Sequence, residues 1–182
     1  MKKATKVPVA IRPSIYVFVD NSNIWIEGKK ISGRNRTPPV SSNYRYRIDY
    51  GRLLDLVQGP HSLGDVPRLY GSEPPPADTV WTRIKQQGFD VTLFKRNIFN
   101  REKGLDMKMG MDIVMLAMRV KPPAVIGLVA GDADYEPIVE QVINMGWEVD
   151  VWYWRSAAAI LKKKATFFHT LDAHLNQIGF EA

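Results

Sequence analysis

The chain of 182 residues contains no cysteine and carries a formal net charge of +6, with a sequence pI near 9.5. Its length suits one domain with one core, and the lack of cysteine excludes a disulfide scaffold, a thiolate nucleophile and a thiolate-bound zinc site. No apolar run reaches the length of a membrane span, so we expect a cytoplasmic protein without a membrane partner, and the basic charge favours a polyanionic partner.

The start of the chain combines a basic tail with a strongly apolar strand pattern. Residues 1–13 are basic and interrupted by proline, and we expect a flexible tail before a single domain over 14–182. Ile15 to Val19 is nearly continuous in apolar residues, which is typical of a central parallel strand buried on both faces. Asp20 follows this strand directly. Residues 28–48 mix basic residues with glycine, proline and serine, so we predict a long mobile loop insertion there.

Helix and strand patterns alternate through the middle of the chain. Asp49 is placed to cap a helix that stops at Gly59 and Pro60. The next predicted elements are a strand, a helix and a strand, over Val66 to Tyr70, about Thr79 to Gln87, and Phe89 to Phe94.

Asp106 to Val120 is the longest predicted helix and is apolar on most of its surface, which predicts burial against the sheet. The methionines expected to fill the core are Met107, Met109, Met111, Met115 and Met118. Asp112 has apolar neighbours, so its carboxylate needs a partner. Six residues rotate a helix by about 600°, so Asp106 and Asp112 point about 120° apart, and Asp106 must sit at the helix start for both to reach one site.

The last part of the chain repeats the pattern of a buried strand followed by acidic residues. Val125 to Val129 stops at Gly131-Asp132-Ala133-Asp134-Tyr135, and a helix from Glu136 to Met145 and a strand from Val149 to Trp154 follow. Strands thus alternate with helices throughout, which predicts a doubly wound, mostly parallel α/β sandwich. Ligands of such sheets bind at the carboxyl ends of the strands.

Five carboxylates lie on elements that this topology brings together: Asp20, Asp106, Asp112, Asp132 and Asp134. Magnesium and manganese ions prefer carboxylate and water oxygens, and such ions activate water and stabilise charge on a phosphoryl group. Phosphodiester hydrolysis needs this chemistry and no protein nucleophile. The sequence therefore predicts a divalent-metal site whose substrate is a nucleic acid. The alternative is that the aspartates at strand and helix ends only cap the following turns.

A second group of residues offers contacts for a nucleic acid. Arg45 and Arg47 interleave with Tyr44 and Tyr46. The arginines can track a phosphate backbone while the tyrosines stack on bases. The alternative is a solvated charged loop, which is what most charge runs are. For Lys162, Lys163 and Lys164 we favour the outer face of a helix.

Three motifs, taken in order, resemble the NYN domain and particularly its LabA-like bacterial branch, within the PIN-like nuclease superfamily. They are Val17-Phe18-Val19-Asp20-Asn21-Ser22-Asn23, then Lys103-Gly104-Leu105-Asp106 with Asp112, then Gly131-Asp132-Ala133-Asp134-Tyr135. The similarity runs from about Ile15 to Leu171. The chain departs from the family pattern at Asn21, where glycine is frequent, and at Tyr135, where phenylalanine is frequent.

The resemblance implies a PIN-like three-layer α/β/α sandwich with a mostly parallel central sheet, and ribonuclease activity that depends on Mg²⁺ or Mn²⁺. It carries over Asp20, Asp112, Asp132 and Asp134 as catalytic metal-site carboxylates, with Asp106 as a fifth metal-site member. In the same way, Asn23 becomes a supporting polar residue and Lys103 lies near a phosphate of the RNA. PIN-like domains often dimerise, which leaves a homodimer open.

Two other functions compete with the ribonuclease. One is a non-catalytic RNA-binding or regulatory module that keeps the acidic pocket but hydrolyses poorly. The other is a phosphatase of the haloacid dehalogenase type. That chemistry requires a second aspartate two residues after Asp20, where this chain has Ser22, so we disfavour it.

Overall fold

The computed structural model describes residues 12–73, 79–95 and 104–182, and within them the chain alternates between strands and helices. The strands are β1 (Ile15–Asp20), β2 (Tyr46–Ile48), β3 (Arg68–Ser72), β4 (Asp90–Phe94), β5 (Val125–Val129), β6 (Glu148–Tyr153), β7 (Phe167–Thr170) and β8 (Gly179–Glu181). The helices are α1 (Asn21–Arg34), α2 (Tyr50–Gln58), α3 (Thr79–Gln86), α4 (Leu105–Arg119), α5 (Glu136–Asn144), α6 (Ala159–Lys164) and α7 (Leu175–Ile178). None of these helices is long and apolar enough to cross a membrane.

The central sheet has six strands in the order β4-β3-β1-β5-β6-β7, and all of their pairings are parallel. From β1 the chain proceeds outward to β3 and β4, then returns to the other side of β1 and proceeds outward through β5, β6 and β7. The direction of winding therefore reverses between β1 and β5. In open α/β sheets, the crevice at this switch point, outside the carboxyl ends of the strands, is where ligands bind.

Two hydrophobic cores cover the two faces of the sheet, because alternate side chains of a strand point to opposite faces. Ile15, Val17 and Val19 of β1 belong to the core that contains residues of α1, α2, α3 and α7. Phe18 belongs to the other core, which contains residues of α4, α5 and α6. The predicted three-layer α/β/α sandwich of the PIN-like type is therefore confirmed.

The segment predicted as a mobile insertion, residues 28–48, is structured at both ends. Helix α1 continues to Arg34, and β2 pairs in antiparallel fashion with β8 at the C-terminal end of the chain. Between them, Asn43 Nδ2 and Arg36 Nη1 both donate to Glu181 Oε1, at 2.7 and 3.0 Å. The partners that order this segment lie some 140 residues away in sequence, and the local composition does not reveal them.

Helix α4 buries one side only, so the prediction that its methionines fill the core is wrong for four of the five. Met109 is fully buried, together with Leu105, Ile113 and Leu116 on the same side of the helix. The other methionines are between 49% and 74% exposed: Met107, Met111, Met115 and Met118. The apolar residues of α4 outnumber the positions that a helix packed on one face of a sheet can bury.

Asp172 joins the carboxyl ends of β6 and β7. Its carboxylate accepts hydrogen bonds from the Arg155 backbone N–H at 2.7 Å, from Arg155 Nε at 2.6 Å and from Thr170 Oγ1 at 2.8 Å. Burial alone would raise the pKa of Asp172. The bonds from the Arg155 backbone, the Thr170 hydroxyl and the Arg155 guanidinium outweigh burial and hold this pKa below its ordinary value of 3.8.

We expect Asp172→Asn to lower the free energy of unfolding by about 1 kcal/mol at neutral pH, a modest loss because Arg155 is largely exposed. A carboxylate whose folded-state pKa is lowered contributes stability above its unfolded-state pKa, and this contribution is lost as the pH falls through the folded-state value. Urea unfolding of both proteins should therefore show a constant difference down to about pH 4 and a shrinking difference below it. A difference that persists unchanged at about pH 3 would contradict this role for the ionised carboxylate.

Candidate functional site

Asp20 lies at the carboxyl end of β1 and is only 4% exposed. Its Oδ1 accepts a hydrogen bond from the Asn23 backbone N–H at 3.3 Å, which makes it the N-cap of α1. The alternative that Asp20 caps the following helix is thus correct for one of its two carboxylate oxygens, Oδ1. The second oxygen, Oδ2, faces the core on the other side of the sheet from α1. A carboxylate oxygen buried in that core needs a hydrogen-bond donor or a cation.

Tyr135 joins two of the predicted carboxylates. Its side chain is fully buried, and its hydroxyl lies 3.2 Å from Asp20 Oδ2 and 2.9 Å from Asp106 Oδ1. Burial, followed by the charges of Asp20 and Asp106, raises the pKa of Tyr135, so the hydroxyl keeps its proton. A tyrosine hydroxyl has one proton to donate. Two carboxylates therefore approach the same hydroxyl, and a cation would offset the repulsion between their negative charges.

Asp106 occupies the position that the sequence required of it, in the first turn of α4. Gly104, with φ of 89°, adopts the left-handed conformation that glycine tolerates and begins the helix. Helix α4 follows β4 in a parallel sheet, so it starts at the carboxyl edge and runs back toward the start of β5. A carboxylate in the first turn of a helix is also favoured by the helix dipole. This turn therefore places Asp106 beside the end of β1.

Asp112 does not share the Tyr135 hydroxyl and instead contacts two other residues, Tyr70 and Lys108. Tyr70 donates its hydroxyl proton to Asp112 Oδ2 at 2.7 Å, and Lys108 forms an ion pair with Oδ1. Burial acts to raise the pKa of Asp112, but the bonds from Lys108 and Tyr70 hold it below its ordinary value. Six residues separate Asp112 from Asp106, which is about 9 Å along the helix axis and away from the carboxyl edge. The partner that Asp112 needed is therefore supplied within the fold.

Asp132 and Asp134 both lie in the exposed turn after β5. Asp132 caps this turn, since its Oδ1 accepts the Asp134 backbone N–H at 3.4 Å. Gly131, just before the turn, packs directly on Tyr153 of β6, and a Cβ added there would lie 2.1 Å from the tyrosine ring. The glycine therefore allows the end of β5 to approach β6, and it is Asp132 rather than Asp134 that serves as the cap.

Tyr153 connects the turn after β5 to α1. Its hydroxyl lies 2.7 Å from Asn23 Oδ1, so Asn23 is held at the edge of the site. Burial raises the pKa of Tyr153, and the negative charges of Glu27, Asp20 and Asp132 raise it further. Glu27, Asp20 and Asp132 therefore all lie close enough to this hydroxyl to act on it electrostatically.

Sequence reasoning missed the tyrosines and Glu27. Tyr70, Tyr135 and Tyr153 each place a hydroxyl against a residue that the motifs had singled out. Tyr135 carried a signal, because it directly follows the Gly-Asp-Ala-Asp motif and departs from the phenylalanine that is frequent there. Glu27 lies four residues after Asn23 on α1, which is a same-face spacing once the helix is known to be long.

Some of the residues predicted to contact a nucleic acid are buried or bonded to other parts of the chain, and others are exposed. Tyr46 is buried and donates its hydroxyl proton to the Leu175 carbonyl, so the prediction that it stacks on a base is wrong. Arg45 Nε donates to the Ala182 carbonyl, and Arg47 Nη1 donates to the carbonyls of Tyr44 and Tyr46. The ring of Tyr44 is 74% exposed and remains free to stack. Lys103 lies outside the described residues.

The donor set suits a hard divalent cation, because carboxylate oxygens are the ligands that Mg²⁺ and Mn²⁺ prefer. The structure brings Asp20 and Asp106 together on one hydroxyl and places Asp132 near Tyr153. Among the residues that the structure describes, however, no three or more histidine or acidic side chains are arranged so that they could hold a metal ion. The two carboxylates around Tyr135 are therefore the best-formed part of the predicted site.

Comparison with known proteins shows the family of this chain. The chain resembles a crystal structure of a protein of unknown function from Vibrio parahaemolyticus RIMD 2210633, with a TM-score of 0.68, 16% sequence identity, and coverage of 96% of this chain and 100% of that chain. At this identity the likeness shows the fold alone. No curated protein matches. The NYN domain matches residues 14–172, which contain all the motifs described above. The chain therefore belongs to the NYN domain family.

Proposed function

We propose that this protein is a ribonuclease of the LabA-like branch that uses Mg²⁺ or Mn²⁺ to hydrolyse RNA phosphodiester bonds at the carboxyl edge of its sheet. One observation carries the proposal: the buried Tyr135 hydroxyl brings the carboxylates of Asp20 and Asp106 together at the switch point between β1 and β5. Membership of the NYN domain family, which resembles PIN-like nucleases, supports it.

Asp20 and Asp106 are the residues that would hold the ion, because both carboxylates lie against the Tyr135 hydroxyl and a cation would relieve the repulsion between them. When bound, the ion supplies charge stabilisation to the phosphoryl group and a more acidic water. Asp132 and Asp134, exposed beside this pair, would orient the attacking water or contribute a further oxygen ligand. Asp112 takes a different role in this proposal. Through Tyr70 it holds α4 against β3, and Lys108 of the same helix neutralises its charge.

The charge of the chain and its exposed aromatic rings support RNA as the substrate. The chain carries a net charge of +6 although its candidate site is acidic, so cations elsewhere on the surface must compensate and can hold a polyanion. The exposed ring of Tyr44 lies beside Lys29, whose ammonium is 5.8 Å from the ring centroid and 3.1 Å from that of Trp25. Aromatic rings flanked by cations suit single-stranded nucleic acid, whose bases are free to stack.

The test is cleavage of a labelled single-stranded RNA by the purified protein, with and without a chelator. We expect the chelator to stop cleavage and added Mn²⁺ to restore it. The double variant Asp20→Asn, Asp132→Asn should be inactive under all these conditions while it keeps the circular dichroism spectrum of the parent. Cleavage that resists the chelator, or that survives in the double variant, would disprove the proposal.

The alternative is an RNA-binding module with little or no catalysis. It is favoured by the absence, within residues 12–73, 79–95 and 104–182, of three acidic or histidine side chains arranged to hold a metal ion. In the experiment above, salt-sensitive RNA binding without cleavage at any Mn²⁺ concentration would select this alternative.

A further inference from the structure

A cleft of about 540 Å³ opens beside the ends of β6 and β7, away from the carboxylates of the candidate site. Its lining residues are Arg155, Lys162, Phe168, Thr170, Asp172 and Ala173. Arg155 lies just after the carboxyl end of β6, Thr170 is the last residue of β7, and Lys162 belongs to α6. The cleft thus opens on the same edge of the sheet as Asp20.

The cations of the cleft keep donors for a ligand. Arg155 uses its backbone N–H and Nε for Asp172, and its side chain is 81% exposed. Its two terminal amino groups form no bond with any residue that the structure describes. Lys162 donates one proton to the Arg155 carbonyl and lies 5.1 Å over the ring of Phe168. An ammonium has three protons, so two remain.

The single carboxylate in the cleft does not cancel these cations. Asp172 accepts three hydrogen bonds, two from Arg155 and one from the Thr170 hydroxyl, so both of its oxygens point to protein donors. It fixes the guanidinium by Nε, and the two terminal amino groups belong to a largely exposed side chain that lines the cleft. A planar fork presented in this way, with an ammonium close by, matches the oxygens of a phosphate group.

The position of the cleft also fits a nucleic acid that reaches Asp20. Strand β6 is two strands from β1, and β7 is three. Neighbouring strands are about 4.8 Å apart, so the cleft lies about 10–14 Å from the end of β1. This distance corresponds to a few nucleotides of a single strand, within the range of site sizes that such strands occupy on proteins.

We propose that the cleft between α6 and the ends of β6 and β7 binds a backbone phosphate of the RNA strand, a few nucleotides from the bond that reacts at Asp20 and Asp106. Arg155 and Lys162 bind the phosphate oxygens, and Asp172 holds Arg155 in place. This inference rests on the proposed ribonuclease function for its substrate, but it concerns binding and not cleavage.

The test measures the affinity of a fluorescein-labelled single-stranded RNA of about 12 nucleotides by anisotropy, in a chelator, over a range of salt concentrations. Lys162→Ala is the main variant, because it leaves the pair of Arg155 and Asp172 intact. Lys163→Ala is the matched control, since Lys163 is the next residue of the same helix, is exposed, and does not line the cleft. Arg155→Ala is the second variant, checked for folding by its melting temperature.

We expect Lys162→Ala and Arg155→Ala each to weaken RNA binding several-fold and to reduce the slope of log K against log salt by about 0.7, the value for one phosphate contact on a single strand. Lys163→Ala should change neither quantity. Equal losses in Lys162→Ala and Lys163→Ala, or no loss in the cleft variants, would overturn the inference. If the two cleft variants bind RNA more weakly but the parent protein cleaves no RNA at any Mn²⁺ concentration, the phosphate-binding role of the cleft is supported and the ribonuclease proposal is rejected.

Discussion

Asp106→Asn is expected to lower Mn²⁺ affinity and RNA cleavage by more than about 100-fold, the upper limit for residues that only support metal ligands. Asp112→Asn is expected to change Mn²⁺ affinity only several-fold. The reason is the separation of the two carboxylates along α4. Asp106 shares the Tyr135 hydroxyl with Asp20, whereas Asp112 is bonded to Tyr70 and Lys108.

The two variants form a matched pair, because each replaces one carboxylate of α4 with an amide of the same shape. Asp112→Asn keeps an acceptor for Tyr70 and loses the charge that pairs with the half-exposed Lys108, which costs only about 0.5 kcal/mol for a pair of this spacing. Isothermal titration with Mn²⁺ and the rate of RNA cleavage measure the effects. Equal losses in both variants would contradict the structure and restore Asp112 to the ligand role that the family resemblance predicts.

Tyr135→Phe is expected to lower Mn²⁺ affinity by about 10-fold to 100-fold, as for other residues that orient metal ligands. Its hydroxyl is a positioning group, since its single proton lies between one oxygen of Asp20 and one oxygen of Asp106. Removing it also takes one hydrogen-bond donor from the half-buried site of Asp20 and Asp106, so the free energy of unfolding in the absence of metal should fall by about 1–3 kcal/mol.

Tyr70→Phe is the control for this variant. It removes a hydroxyl from a second carboxylate of the same helix, Asp112, in the same core. Both variants should lose stability in urea, but only Tyr135→Phe should lose Mn²⁺ affinity. The role of Tyr135 is rejected if titration gives the same affinity for both variants, because the hydroxyl then contributes to folding alone.

The turn after β5 was predicted only in part from its sequence motif. The position of Asp132 and Asp134 at a strand end follows from an apolar run that stops at a glycine, and the structure confirms the strand. Which aspartate caps the turn did not follow, because both have the same local preference for this role. The structure shows that Asp132 caps it, since its Oδ1 accepts the Asp134 backbone N–H, and that Gly131 just before it packs against Tyr153 of the paired strand β6.

In the segment between α1 and α2, the local sequence did not predict which side chains are buried. Its arginines and tyrosines looked alike in the sequence, yet Tyr46 packs in the core and Tyr44 is exposed. The difference arises because Tyr46 belongs to β2, which pairs with β8 at the end of the chain. Burial here depends on a strand pairing between distant segments, and periodicity within three residues cannot reveal it.

By itself, the sequence determined the alternation of strands and helices, the parallel sheet that this implies, and the aspartates that end β1 and β5. These features follow from apolar runs and turn residues, which are local. Only the tertiary structure decided which carboxylate of α4 lies beside Asp20. The reason is that α4 starts at the carboxyl edge and runs away from it, so Asp106 meets the Tyr135 hydroxyl while Asp112, about 9 Å further along the axis, meets Tyr70.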